Sequence, residues 1–226
     1  MAASASTECE WGAQSSPEGK GPNAALALSV RQVLEILQHG TMREVHGLMP
    51  WSSNYTFLVS AALGWHLVPP TVLREGIYGP GAVQLFIEHD FEEHYFTMRE
   101  RPPEVFARIV AFDVITNNAD RKAGHILRDR TGRIWVVDHG LTFHIQPKLR
   151  TVLWDFADQP LPAEVLEDLQ RLLAALRDGE SALVTRLVRL ISAPEIAALR
   201  SRVTQLLRAG RFPLPGPRRC VPFPPV

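Results

Sequence analysis

The spacing of apolar residues predicts short strands in the first part of the chain and helices in the second. A cap followed by apolar residues on one face predicts a helix over residues 29–40. Residues 41–45 and 55–59 are predicted to be short strands, and residues 60–65 resemble the end of a helix. The clearest strand is residues 82–88, an apolar run that ends in an acidic cluster.

The second half of the chain is dominated by helical spacing. Pro103 suits the first turn of a helix that continues through Ile115. A turn at residues 129–132 joins two short apolar runs, which predicts a β-hairpin. Leucine then recurs at three- and four-residue spacing, and this predicts three helices that form a small bundle. These helices begin near Pro162, Ser181 and Pro194.

The composition predicts a soluble cytoplasmic protein. The 226 residues suffice to bury one ordinary core or two small ones. The 24 basic and 24 acidic side chains balance, so no global charge points to nucleic acid or to an anionic membrane. No apolar run approaches the ~20 residues of a membrane span, and the start of the chain lacks the pattern of a signal peptide. Cys9 and Cys220 suggest no disulfide framework, which fits a reducing cytoplasm.

One stretch after the long helix holds the most specific chemical pattern. Asp120 is followed by Arg121 and Lys122, His125 lies shortly after them, and Asp138 ends an apolar run. In phosphoryl-transfer enzymes of the kinase type, one acidic group takes or orients the attacking hydroxyl's proton, and another holds a metal on the phosphates. Taken singly, an Asp-Arg pair is commonly a surface ion pair and a strand-end Asp a turn residue. The order of the whole stretch favours the catalytic interpretation.

The order helix, Asp-Arg loop, hairpin and Asp-His-Gly resembles the catalytic core of the phosphatidylinositol 3- and 4-kinase superfamily. In those enzymes an Asp-Arg-His-x-x-Asn loop precedes a hairpin and an Asp-Phe-Gly. Residues 120–125 and 138–140 stand in the matching places. Four separated segments also resemble, in the same order, a family of actinobacterial proteins usually classed as phosphatidylinositol-kinase-like. They are residues 64–71, 83–90, 120–125 and 149–156, within a resemblance that covers residues 28–210.

The resemblance implies an α+β, protein-kinase-like fold with a reduced N-lobe sheet and a mostly helical C-lobe. Residues 25–90 would form the reduced N-lobe and hinge, and residues 91–212 the C-lobe with the catalytic loop. Residues 1–24, rich in alanine, serine, glycine and proline, are predicted to be disordered. The proline-rich residues 213–226 are predicted to be extended or disordered.

The resemblance also implies roles for the residues of the loop. Asp120 would accept or orient the proton of the acceptor hydroxyl, with Arg121 and Lys122 offsetting charge near the transferring phosphoryl group. Asp138 would bind the metal that bridges the phosphates. His125 takes the place of a second metal ligand that is usually asparagine. Since imidazole suits manganese better than magnesium, either His125 ligates Mn²⁺ or Asn118, or the asparagine before it, supplies an oxygen instead.

The implied cofactors are ATP and either Mg²⁺ or Mn²⁺. Ser52, Ser53, Asn54 and Thr56 match the family's phosphate-covering turn, with small hydroxyl and amide residues in place of glycine. As a pattern by itself, this segment is also an ordinary turn. The strand that ends at Glu88 would lead to the hinge, whose backbone groups pair with adenine.

A lysine expected on a strand of the N-lobe is missing. Kinases of this type place it after the phosphate-covering turn, where its ammonium meets the α- and β-phosphates. The lysines of this chain are Lys20, Lys122 and Lys148, and residues 55–59 run directly into residues 60–65. The partner strand, its lysine and most of the following helix are therefore predicted to be absent.

The sequence leaves three functions open. The first is an ATP- and metal-dependent phosphotransferase, impaired by the missing segment, whose acceptor is a lipid, a protein or a small metabolite. The second is a non-catalytic pseudokinase module that binds a nucleotide or a partner. The third is a metal-dependent hydrolase that uses Asp120, His125 and Asp138.

Overall fold

A computed structural model describes residues 42–45, 52–76, 79–99, 104–217 and 219–226 of the chain. It is a mixed α and β structure with two small sheets and several helices. The predicted disordered segment 1–24 and the helix predicted at residues 29–40 lie outside the described residues. The strands are β1 Met42–Val45, β2 Thr71–Gly76, β3 Gly79–Leu85, β4 Ile126–Arg128 and β5 Ile134–Val136. The helices are α1 Ser52–Ala62, α2 Tyr95–Met98, α3 Val105–Thr116, α4 Ala163–Arg177, α5 Ala182–Leu187 and α6 Ala193–Ala209, with short 3₁₀ turns at Ala123–His125 and Trp154–Phe156.

The first sheet has three antiparallel strands in the order β1–β3–β2. The central strand is β3, where Gln84 lies opposite Arg43 of β1 and opposite Thr71 of β2. The strand predicted at residues 41–45 is confirmed. The strand predicted at residues 82–88 is confirmed in part, because β3 begins earlier and ends at Leu85.

Residues 55–59, predicted as a strand, belong instead to helix α1. Nine of the eleven residues of α1 are buried, and the helix contacts β2, β3 and α5. A helix buried on almost every side has no polar face, so its apolar run lacks the 3.6-residue periodicity that distinguishes a helix from a strand. The strand prediction was therefore wrong, and the helix end predicted at residues 60–65 is confirmed as the end of a longer helix.

The hydroxyl groups of α1 form hydrogen bonds inside the protein. Thr56 Oγ1 donates to the backbone oxygen of Ser52 at 2.6 Å, and Ser60 Oγ accepts from the backbone N–H of Leu67 at 2.8 Å. These bonds satisfy polar groups that would otherwise be costly to bury. Helix α1 runs through residues 59 and 60 without a break, so the deletion expected at this point stays a prediction from the sequence.

Helices α3 to α6 form the larger part of the core, and the three helices predicted from leucine spacing are confirmed. Nine of the twelve residues of α3 are buried, and both α4 and α6 pack against it. Helix α6 begins at a capping box in which Glu195 Oε2 accepts from the backbone N–H of Ser192 at 2.8 Å. It ends at Gly210, whose φ of 61° is a left-handed conformation that favours glycine. Among the described residues, no helix combines the length and apolar composition needed to cross a bilayer.

The predicted hairpin is confirmed, with Leu127 of β4 opposite Trp135 of β5. Asp129 organises the turn, since its Oδ1 accepts from the backbone N–H groups of Thr131 at 2.9 Å and of Arg133 at 3.0 Å. Its Oδ2 accepts from the indole N–H of Trp135 at 2.8 Å. The rigid hairpin ends two residues before Asp138, which it holds beside the loop that follows α3.

Candidate functional site

The loop of the site begins where α3 ends at an asparagine in the left-handed conformation. Asn117 has φ 56° and ψ 48°, a region that asparagine tolerates better than most residues. Its Nδ2 donates to the backbone oxygens of His144 and Gln146 at 2.8 Å and 2.7 Å. Its Oδ1 accepts from the backbone N–H of Lys148 at 2.8 Å. One side chain therefore fixes both the turn out of α3 and the segment that follows Asp138.

A buried ion pair lies under the loop. Arg121 and Asp113 have side-chain exposures of 0% and 1%, and Arg121 Nε lies 3.0 Å from Asp113 Oδ2. Arg121 Nη2 also donates to Asp113 Oδ1 at 3.0 Å. Two donors to one carboxylate form the strong, directional contact that suits guanidinium. This side chain is occupied inside the protein, so the expectation that Arg121 offsets charge at an exposed phosphoryl group is wrong.

Arg121 also connects the Asp120 loop to both neighbours of Asp138. Its Nη1 donates to the backbone oxygen of Val137 at 2.8 Å. Its Nη2 donates to Nε2 of His139 at 3.0 Å. The guanidinium therefore fixes the residue after Asp120 against the residues before and after Asp138. Arg121 therefore fixes the positions of Asp120 and Asp138 relative to each other through the residues next to them.

Asn118 is fully buried, and both ends of its amide are used. Nδ2 donates to Asp113 Oδ1 at 3.0 Å, and Oδ1 accepts from the backbone N–H of Asp120 at 3.0 Å. The expectation that Asn118 supplies an oxygen to a metal is therefore not met, because that oxygen already orients Asp120. Asn118 positions the carboxylate next to it.

Asp120 and Lys122 form a partly exposed ion pair. Their side chains are 29% and 22% exposed, and Lys122 Nζ lies 3.5 Å from Asp120 Oδ2. The two charges thus lie close together at the surface above the buried ion pair. The ammonium of Lys122 is available there to an incoming anionic group.

His125 and Asp138 come together on the other side of the loop. His125 Nε2 lies 3.3 Å from Asp138 Oδ2, with exposures of 14% for His125 and 59% for Asp138. Burial lowers the pKa of His125, the positive charge of Arg121 lowers it further, and Asp138 partly opposes both. The lowered pKa favours a neutral imidazole, whose Nδ1 accepts from the backbone N–H of Lys122 at 3.4 Å while Nε2 faces Asp138.

Asp138 and His139 point in opposite directions because of a left-handed backbone. Asp138 has a φ of 56°, which is uncommon outside glycine and is frequent at functional sites. Asp138 is more than half exposed, whereas His139 is fully buried. This turn puts a carboxylate at the surface and an imidazole in the core.

His139 is a functional candidate that the sequence pattern did not reveal. Since Arg121 Nη2 donates to Nε2, the neutral imidazole carries its proton on Nδ1. That buried nitrogen has no partner within the described residues. Burial, and then the positive charges of Arg121 and His125, hold the pKa of His139 well below its usual range. The sequence did contain one signal of this buried cluster, which is Asp113. A single acid within an apolar helix requires a buried partner.

The residues predicted to contact the nucleotide are dispersed. Ser52, Ser53 and Thr56 are buried in the first turns of α1, so the predicted phosphate-covering turn is a helix. Asn54 Nδ2 donates to the backbone oxygen of Thr71 at 3.2 Å. Glu88 is exposed and lies 3.4 Å from Arg130 of the hairpin turn. Glu88 thus lies beside the hairpin turn, and the α1 residues do not form a turn that encloses phosphates.

Metal ligands are sparse in the part of the chain that the structure describes. No group of three or more His, Cys, Asp or Glu side chains is placed there to hold a metal ion. The pair His125 and Asp138 supplies two donors 3.3 Å apart. A divalent ion at this pair would therefore take its remaining ligands from phosphate or water.

The last described segment packs against the site loop. The backbone N–H of Ala123 donates to the oxygen of Pro225 at 2.8 Å. The backbone N–H of Thr151 and the indole of Trp154 both donate to the oxygen of Cys220, at 2.9 Å and 3.0 Å. Residues 219–226 are therefore an ordered part of the site.

Asn118→Ala is expected to lower the free energy of unfolding by about 1 to 3 kcal/mol, since it leaves the N–H of Asp120 without a partner in the interior and removes one of the donors to Asp113 Oδ1. Chemical denaturation measures the change. Gln205→Ala serves as control, because this exposed side chain has a single bond to Ser201 and its removal is expected to cost within about 0.5 kcal/mol. Equal costs for the two variants would contradict the positioning role.

The structure is that of a mixed α and β protein in which a buried ion pair, Arg121 with Asp113, supports a candidate catalytic loop. The chain belongs to the family of protein Rv2133c of Mycobacterium tuberculosis (strain ATCC 25618 / H37Rv), to which it is 36% identical over 203 residues. The match covers 74% of this chain and 72% of the relative. The 203 aligned positions exceed 74% of the 226 residues of this chain, so the alignment contains gaps on its side.

Two further comparisons are less informative. No family model matches the chain. A solved structure of hydra Fam20 with sugar is similar over 73% of this chain and 71% of that one, at 13% identity. Its TM-score of 0.38 is too low to establish a common fold.

Proposed function

We propose that this protein is an ATP- and metal-dependent phosphotransferase related to the phosphatidylinositol 3-/4-kinases, with turnover reduced by the loss of the N-lobe lysine segment. The observation that carries the proposal is the position of Arg121. Its bonds to Asp113, Val137 and His139 hold the loop of Asp120 against Asp138. A buried cation that fixes two partly exposed carboxylates is the kind of support that a functional site needs. A simple ion pair at the surface does not need it.

In this proposal the exposed side chains share the work of transfer. Asp120, oriented through its own N–H by Asn118, takes or orients the proton of the acceptor hydroxyl. Lys122, 3.5 Å from Asp120, offsets negative charge on the transferring group. Asp138 and neutral His125 would hold the divalent ion, which neutralises charge on the phosphates when bound. A carboxylate with an imidazole suits Mn²⁺ better than Mg²⁺.

The same features support a reduced rate. None of the strands β1 to β3 contains a lysine, so the cation that meets the α- and β-phosphates in related kinases is missing from them. The alignment gaps agree with a lost segment. We propose that the loss lies where residues 55–59 run directly into residues 60–65, as the resemblance implies.

The missing lysine also favours a second candidate, a non-catalytic module that binds a nucleotide or a partner. The same site groups would then hold the nucleotide without transferring its phosphate. A metal-dependent hydrolase that uses Asp120, His125 and Asp138 is the remaining candidate. A hydrolase would act without ATP, and phosphate transfer separates the phosphotransferase from the binding module.

ATP with Mn²⁺ or Mg²⁺ is expected to raise the melting temperature by about 5 to 10 °C at 100 times the dissociation constant, because that occupancy adds about 2.7 kcal/mol. The increase should be larger with Mn²⁺. Asp138→Asn should abolish it, since the amide keeps the size of the side chain and tolerates the left-handed backbone while removing the charge. Glu167→Gln on the exposed face of α4 is the matched control.

Transfer is measured separately, with γ-labelled ATP. Asp120→Asn is expected to keep the thermal shift and lose transfer. A shift without transfer in the wild type would favour the binding module. Phosphate ester hydrolysis without ATP would favour the hydrolase, and no shift with either metal would reject the nucleotide site.

A further inference from the structure

A cavity of about 740 Å³ lies next to the candidate site, between the segment that follows Asp138 and the last described part of the chain. Residues 146–150 and Trp154 form one wall, and the other is formed by Leu214, Gly216, Pro217, Arg219 and Cys220. Its volume is in the range of small-molecule sites. The sequence pattern gave no indication of it, because its walls come from irregular segments more than 60 residues apart along the chain, such as Trp154 and Cys220.

The charged residues that line the cavity in the described part of the chain are all basic. Lys148, Arg150 and Arg219 contribute three cations, and none of the described lining residues is an acid. None of the three forms an ion pair with a described carboxylate. Arg219 is partly engaged, since its Nε donates to the backbone oxygen of Val221 at 3.2 Å and its guanidinium lies 5.4 Å from the centre of the Phe223 ring. Uncompensated cations in a concave site concentrate anions there.

One wall of the cavity is bonded to the backbone on both sides of Asp120, although Asp120 does not itself line the cavity. The backbone N–H of Arg150 donates to the oxygen of Asn118 at 2.9 Å, and the N–H of Arg121 donates to the oxygen of Arg150 at 3.0 Å. The peptide groups of Arg150 therefore bond to both sides of Asp120, and Thr151 continues this pairing as a parallel bridge to Arg121. A ligand group held by the side chains of Lys148 and Arg150 would lie next to the candidate base.

Both walls are fixed in place. The oxygen of Cys220 accepts from Thr151 and from Trp154, which joins the two walls. The N–H of Lys148 is held by Asn117 Oδ1 at 2.8 Å. The side chains of Lys148, Arg150 and Arg219 thus extend from a backbone that is already ordered, which reduces the cost of binding.

We propose that this cavity binds a phosphate group of the acceptor, so that the acceptor is itself a phosphate ester with a free hydroxyl. This inference rests on the proposed function for the role of Asp120, but not for the binding of the anion. Two or three cations match a dianionic phosphate, and arginine supplies paired donors to its oxygens. Lys148 and Arg150 anchor the phosphate, and the hydroxyl of the same molecule faces Asp120.

The test uses inorganic pyrophosphate as probe, in buffer that contains EDTA, with binding followed by isothermal titration calorimetry. The double variant Lys148→Gln/Arg150→Gln is expected to bind at least 10-fold more weakly than the wild type, since charge-assisted bonds to phosphate are lost. Arg186→Gln/Arg189→Gln is the matched control, because it removes the same net charge from exposed arginines elsewhere. Asp138→Asn should bind pyrophosphate like the wild type.

Equal binding by the wild type and the Lys148/Arg150 variant would overturn the proposal. An equal loss in the Arg186/Arg189 control would also overturn it, by showing general charge attraction. Because metal and nucleotide are absent, these results are separate from the ATP thermal shift. A positive result without an ATP shift would keep the anion site and reject the phosphotransferase.

A second measurement identifies the source of the phosphate. Wild type and both double variants are sedimented with phosphatidylcholine vesicles that contain phosphatidic acid. Sedimentation that requires Lys148 and Arg150 and is displaced by pyrophosphate would support the site with a lipid headgroup as ligand. Pyrophosphate binding without sedimentation would support it with a soluble phosphate ester. Absence of both would overturn the proposal.

Discussion

Arg121→Met is expected to lower the free energy of unfolding by about 3 to 5 kcal/mol, because it leaves the carboxylate of Asp113 in the interior without its cation. Asp113 is 1% exposed, so water cannot replace the lost partner. The carboxylate would keep only the N–H of Asn118 as a side-chain donor. Urea denaturation of the variant at neutral pH measures the change.

The matched control is the exposed ion pair of Arg211 and Asp158. Its side chains are 52% and 60% exposed at a distance of 2.9 Å, so Arg211→Met is expected to cost less than about 1 kcal/mol. A double variant, Arg121→Met/Asp113→Leu, should recover part of the loss, since no uncompensated charge stays buried. If Arg121→Met costs no more than Arg211→Met, the buried pair does not organise the loop.

Stability is also expected to depend on pH through His139. Burial and the charges of Arg121 and His125 lower the pKa of His139 in the folded state below its unfolded value of about 6.5. The unfolded state therefore binds more protons as the pH falls below about 6.5, and the free energy of unfolding decreases by up to about 1.4 kcal/mol per pH unit. His125, whose pKa is also lowered, acts in the same direction.

Denaturation curves measured between pH 7.5 and pH 5 check this dependence. His139→Gln keeps an acceptor for Arg121 but does not titrate, so it should reduce the slope, with the contribution of His125 remaining. Gln205→Ala, which removes no titratable group, should leave the slope as in the wild type. An unchanged slope in His139→Gln would show that this buried imidazole does not control acid stability.

The parts of the fold that the sequence predicts well are those in which the pattern and the local chemistry agree. Helix α6 has leucine spacing, a Ser192 cap and a Gly210 end, and each signal is independent of the rest of the fold. The hairpin has a turn in which Asp129 bonds the backbone directly. Helix α1 was missed because burial on all sides removes the polar face, which is the signal that periodicity measures.

The site was predicted in outline and not in its internal contacts. Asp120, His125 and Asp138 were found from their order along the chain, and the structure brings His125 and Asp138 to 3.3 Å. The burial of Arg121 was not predicted, because a charged residue in a loop is usually exposed. Its partner Asp113 lies eight residues earlier, on the buried side of α3. Only the packing of the loop under α3 reveals that these two belong together.

The backbone and the side chain of Arg150 have separate roles. Its peptide groups hold the Asp120 loop, and its side chain lines the cationic cavity. Any residue except proline supplies the same peptide groups, so evolution is free to exchange the side chain without disturbing the loop. Exchange of Arg150 for any residue except proline is therefore expected to keep the Asp120 loop in place while it changes the charge of the cavity.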